Sequence, residues 1–180
     1  MILFNNGSES PSFGGSVRNQ AGLHEQYEDF RLSQRSTITS IHWRVQAHVL
    51  DDKDGSRIYD NTELRIFDGL PYGGSQVFGG PFEANRSPMA SGFRDYDFAI
   101  TGLSITLDAG TYWLGLNDNT TTADFLSGWA ITPGGPQTIP GSRVVFLGPD
   151  CGGGFDISGC GPGRVGSTNF IFRLRGRRVP

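Results

Sequence analysis

The stretch "TSIHWRVQAHV", Thr39–Val49, decides the fold class. Ile41, Trp43, Val45, Ala47 and Val49 alternate with His42, Arg44, Gln46 and His48. A period of two gives a strand with one apolar and one wet face, whereas a helix would repeat its apolar positions every three or four residues. Working outward, short runs of the same character recur along the chain. They are "ILFNNG" at the start, "YEDFRL" (Tyr27–Leu32), "ELRIFDG" (Glu63–Gly69), "SQVFGG" (Ser75–Gly80), "RDYDFAI" (Arg94–Ile100), "LSITL" (Leu103–Leu107), "TYWLGL" (Thr111–Leu116), "SGWAI" (Ser127–Ile131), "RVVFL" (Arg143–Leu147) and "TNFIFRLRG" (Thr168–Gly176). About ten short strands separated by turn residues predict an all-β, antiparallel sandwich or barrel. In "LSITLDAGTYWLGL" the turn falls at Asp108-Ala109-Gly110, which sets Tyr112, Leu114 and Leu116 toward the core and Thr111 and Trp113 on the other face. Asn117–Asp124 reads as a polar loop. Ile2–Phe4 is expected to pair within its own sandwich.

The chain has 180 residues, which suits a single domain spanning 1–180. Its 27 glycines suit tight turns, because Gly takes positive φ without steric cost. A formal net charge of -3 argues against a nucleic-acid partner. Basic residues are dense only near the C-terminus, at Arg173, Arg175, Arg177 and Arg178, the last two within a tail over 177–180. No apolar run approaches the roughly 18 residues that span a membrane. The Gly-rich segment 148–166 carries Cys151 and Cys160. In an exported chain this pair closes a small disulfide loop, and the alternative is two free thiols.

Four blocks carry a family resemblance: "ILFNNG", "YEDFRLSQRSTITSIHW", "LRIFDG" and "LSITLDAGTYWLGLND". They resemble successive blocks of exported bacterial β-sandwich proteins of the PEP-CTERM sorting-signal type. The chain stops at Val179-Pro180, where such a signal would begin, and the signal itself is absent. The resemblance implies export, surface or matrix placement on a bacterium, and a jelly-roll-like sandwich. It brings no catalytic residues.

Chemistry-bearing motifs are few. There is no G-x-S-x-G elbow, H-E-x-x-H, C-x-x-C or phosphate-binding loop, and no catalytic residue is assigned. His42 and His48 lie six residues apart on one strand, roughly 20 Å, too far to share a metal. Asp95 and Asp97 share a strand face about 7 Å apart, which reads as a solvated face. In "DDKDGSRIYDNTE", Asp52, Asp54, Ser56, Asp60 and Glu63 match the oxygen spacing of a calcium loop, with the Ile58 carbonyl between them. Arg57 stands where the helical version has Gly, and the flanks are strands, so the expected structural calcium site is weak; the alternative is an acidic solvent loop.

These readings lead to a non-catalytic extracellular or cell-surface matrix or adhesion protein. It would be secreted or surface-bound, with extracellular polysaccharide or other copies of itself as partner. The alternative is a calcium-dependent glycan-binding module with Tyr59, Tyr72 and Trp113 as exposed aromatics and Trp129 assigned to the core. The third reading is a hydrolase acting on an extracellular polysaccharide.

Overall fold

The computed structural model describes residues 1–7, 16–18, 25–47, 59–71, 73–88, 95–120, 127–132, 144–147, 161–163 and 169–180. Among them are fourteen strands and no helix. The strands are β1 (Ile2–Asn5), β2 (Ser16–Arg18), β3 (Glu25–Leu32), β4 (Ser36–Ala47), β5 (Tyr59–Phe67), β6 (Gln76–Phe82) and β7 (Asn85–Pro88). They continue with β8 (Asp95–Leu107), β9 (Gly110–Thr120), β10 (Ser127–Thr132), β11 (Val144–Leu147), β12 (Gly161–Gly163), β13 (Asn169–Phe170) and β14 (Phe172–Arg178). They form two antiparallel sheets packed face to face, the expected all-β sandwich.

The six-stranded sheet runs β12-β11-β3-β9-β5-β6. In the eight-stranded sheet, β4 pairs with β8 along one edge and with β14 and then β10 along the other. β1 closes onto β14, so the N-terminal strand pairs within its own sandwich. Two strands are longer than the sequence pattern suggested. "RDYDFAI" and "LSITL" are one continuous strand, β8, carried across Gly102, whose φ of 75° is open to glycine, opposite a register slip in β4. β9 continues through Asn117–Thr120, so the first half of the expected polar loop is strand. β2, β7 and β12 are too short to show a period.

Alternation fills the core. Ile41, Trp43 and Val45 of β4 face inward with Phe98 and Ile100 of β8 and Phe172 and Leu174 of β14. From the other sheet come Phe30 and Leu32, Leu64 and Ile66, and Leu114 and Leu116. Trp129 is in the core as expected, stacked on Phe170 at 4.5 Å. Its indole Nε1 donates to the Ile171 carbonyl at 3.0 Å, and that oxygen also accepts the Arg44 N–H at 3.3 Å. Ile171 is where the last strand leaves β4 and crosses to β10, so one carbonyl ties the three strands at their fork.

Phe4 fixes β1 to this core, with its ring 5.2 Å from Phe172 and 6.0 Å from Phe30. Removing a buried aromatic ring of this kind costs about 3–5 kcal/mol. Phe4→Ala is therefore expected to lose about that much in urea unfolding. A loss under about 1 kcal/mol would show that β1 is not part of the cooperative unit.

Candidate functional site

The outer face of the six-stranded sheet gathers polar side chains from three neighbouring strands. β3, β9 and β5 are in register, with Tyr27 opposite Gly115 and Gly115 opposite Arg65. The Tyr27 ring lies across Gly115, where a Cβ would collide with it. Arg65 Nη1 donates to both Glu25 oxygens at 2.9 Å, and its Nε lies 3.5 Å from Glu63 Oε1. The Tyr27 hydroxyl donates to Glu25 at 2.8 Å. Burial first, then the charge of Glu25, pushes the Tyr27 phenol well up. Beside this network, Asn117 is fully buried and accepts the Gln26 N–H at 2.7 Å, while Asn119 donates to Asn61 at 2.7 Å. One row along, Trp113 packs with Tyr27, Phe67 and Leu70.

The inner faces also hold polar groups, two of which join strands. At one end, the Ala84 N–H donates to the Tyr59 hydroxyl at 3.4 Å. That hydroxyl meets Thr62 Oγ1 at 2.7 Å, and Thr62 donates to the buried Asp118 at 3.1 Å. Burial, with the nearby Asp118 charge, raises the Tyr59 phenol to about 12. Deeper, Glu28 points from β3 into the core beside Phe30 and Leu32. Its two oxygens accept the Asn6 side-chain amide at 2.6 Å and the Phe170 N–H at 2.7 Å. Burial lifts the Glu28 carboxyl well above its usual range, although both hydrogen bonds pull it back.

The structure redistributes the residues singled out in the sequence. Tyr59 is no surface aromatic. The pairing of β5 with β9 slips between Tyr59 and Asn61, leaving Asp60 as the extra residue. This bulge turns Tyr59 into the core, beneath the Arg86 guanidinium at 5.2 Å, and leaves Asp60 exposed. Trp113 lies on the outer face as expected, but only 7% of it is exposed, so it serves as a wall and not an open stacking platform. Glu63 is joined to Arg65. Asp97 lies 3.5 Å from Arg44. Asp52, Asp54, Ser56, Tyr72, Cys151 and Cys160 lie outside the described residues. No group of three metal-ligating side chains occurs among the described residues. No helix among them is long and apolar enough to cross a membrane.

Sequence reasoning missed the Glu25–Tyr27–Arg65 network. The alternation in "EQYEDF" puts Glu25 and Tyr27 on one face, but Arg65 reaches them only through the register of the intervening β9. No family model, curated protein or solved structure matches the chain.

Glu28 generates a pH prediction. Its folded pKa lies above the unfolded value of 4.5, so the folded state holds more protons as pH rises past that value. The Glu28 contribution to stability is greatest in acid and falls from about pH 4.5 upward until its raised pKa is passed. In Glu28→Gln one amide NH2 faces a donor, so the variant is the less stable protein at pH 4. Its deficit in melting temperature should narrow between pH 4 and 8. A deficit constant across that range would mean that the Glu28 protonation state does not change there.

Proposed function

We propose that the protein is a non-catalytic adhesion or matrix module of the bacterial cell exterior, with extracellular polysaccharide as its partner. The observation that supports this most is Arg65 standing between Glu25 and Glu63. A sandwich glycosidase needs two carboxyl groups free to face a sugar, one to give a proton and one to attack or activate water. Here Glu25 and Glu63 are joined through one guanidinium, and Glu25 also holds Tyr27. These contacts join β3 to β5 across β9 and fix a rigid polar surface. Carboxyl groups engaged in this way suit a module that holds a ligand without cleaving it. The sequence resemblance to exported bacterial sandwich proteins agrees with this placement.

Assembly of copies belongs to the same reading. Among the described residues β6 pairs only with β5, carries no charged side chain, and exposes Val77. An uncharged edge of this kind can accept a strand from a second copy, although Pro81 withholds one donor.

The test is incubation with a panel of soluble polysaccharides, following both retention in affinity electrophoresis and the release of reducing ends. Retention without new ends is expected. Release that disappears in Glu25→Gln would make the protein a hydrolase and overturn the reading.

Calcium is proposed as a structural ion held by Asp52, Asp54 and Ser56 ahead of β5 and by Asp60 at its start, with Glu63 shared with Arg65. Clustered carboxylates repel when ionised, and a cation taking six to eight oxygens relieves this. A ligand that binds only the folded state raises its melting temperature. At matched ionic strength, calcium should raise the melting temperature above that in magnesium or chelator, and Asp52→Ala/Asp54→Ala should abolish the rise. Equal melting in all three conditions would leave the segment as an acidic connection.

A further inference from the structure

β14 sets Phe172, Leu174 and Gly176 toward the core, so Arg173, Arg175 and Arg177 fall on the outer face of the eight-stranded sheet. Alternate residues of a strand repeat every 7 Å or so. The register with β4 puts His42 beside Arg173, Ser40 beside Arg175 and Thr37 beside Arg177. β8 extends the same rows with Ala99, Thr101 and Thr106. The result is a row of long arginines beside a floor of short, mostly hydroxyl side chains. Arg175, Arg177, Thr101 and Thr106 are exposed.

Asp97 lies on this face but pairs with Arg44 at 3.5 Å. Among the described residues no carboxylate forms an ion pair with Arg175, Arg177 or Arg178. His42, 3.0 Å from the Ser40 hydroxyl, feels the row directly. Partial burial and then Arg175 and Arg173 hold its imidazole below the ordinary range. The chain as a whole is acidic at -3, so this cationic field is a property of one face and acts at contact range.

We propose that this face binds an extended carboxylate- or sulfate-bearing polysaccharide, with its anionic groups on Arg175 and Arg177 and its hydroxyls on the Ser and Thr floor. Guanidinium groups take planar oxyanions through paired N–H donors, and the row runs in the direction a linear polymer would lie. Neutral hydroxyl groups beside the cations match a ligand that carries hydroxyls next to its charges, which distinguishes it from a nucleic acid with a phosphate at every residue. The inference names the ligand class for the adhesion reading and rests on that reading for a polysaccharide outside the cell.

The test measures equilibrium binding of the full chain to immobilised polygalacturonate, dextran sulfate, uncharged dextran and a DNA duplex. Wild type should bind at least one of the two acidic polysaccharides, more weakly as sodium chloride rises, and should not bind dextran. The polygalacturonate and dextran sulfate arms separate carboxylate from sulfate. Arg175→Gln/Arg177→Gln should melt as wild type does and bind about tenfold more weakly, the loss expected for two exposed charge-assisted contacts. Arg175→Lys/Arg177→Lys should recover part of that loss. The proposal is overturned by wild type binding neither acidic polymer, by equal binding to dextran, or by tighter binding to DNA. Wild-type affinity in the double Gln variant overturns this face and leaves the adhesion reading standing, whereas release of reducing ends removes that reading whatever the arginines do.

Discussion

β4 is the constraint on which the rest of the structure depends. It is twelve residues long and hydrogen-bonded on both edges, to β8 on one side and to β14 and β10 on the other. Because side chains alternate, a slip of one residue in β4 would turn Ile41, Trp43 and Val45 outward and bring His42 and Arg44 into the core. The register of β4 therefore decides which face of the sheet is apolar. It also decides the opposite face: the pairing that buries Phe172 and Leu174 puts Arg173 and Arg175 beside His42 and Ser40. Core and cationic surface are two consequences of one set of backbone hydrogen bonds.

Among the described residues, two hydrogen-bonded polar groups of the sandwich interior stand at joins. Glu28 reaches from β3 across the core to Asn6, just after β1, and to Phe170, just before the Ile171 fork. The Phe170 N–H and the Asn6 amide would otherwise be donors in a dry interior, a cost of about 1–3 kcal/mol for each unmet group. The Tyr59–Thr62–Asp118 chain does the same where the strands of the six-stranded sheet meet the β6–β7 crossing at Ala84. In each case an ionisable side chain serves a position where regular pairing cannot continue. Their perturbed titration therefore arises from architecture and is not by itself a sign of catalysis.

The fold class was legible because it rests on local alternation. Thr39–Val49 and the Asp108–Gly110 hairpin each state their inward face within a few residues, and Trp113, Leu114 and Trp129 went to the faces expected of them. What failed were breaks in alternation. The bulge at Asp60 shifts the parity of β5, so counting by twos could not place Tyr59 in the core. β8 was read as two strands because Gly102 resembles a turn residue, although there it sustains a long strand through an irregularity. The surface sites were harder still. Glu25 and Arg65 are forty residues apart and meet only through the β3–β9–β5 order, which no local pattern encodes. The arginines were visible as a C-terminal cluster, but their alignment with a hydroxyl floor depends on β4 and β8.

The two outer faces place charge in opposite ways. On the six-stranded sheet Arg65 is surrounded by Glu25, Glu63 and Tyr27, and its hydrogen bonds stay within the protein. On the eight-stranded sheet Arg175 and Arg177 stand among Ser40, Thr37 and Thr101, none of which carries charge. An arginine held by two carboxylates gains little from a further anion, because its donors are occupied and the local field is already cancelled. An arginine beside hydroxyl groups has its donors facing water, and a bound oxyanion replaces weakly held solvent with charge-assisted bonds. Both faces are built on paired strands. The anion-binding capacity proposed for one of them therefore rests on its side-chain neighbours, and the proposal assigns recognition to the β14–β4–β8 face while the contacts of the β3–β9–β5 face hold its sheet together.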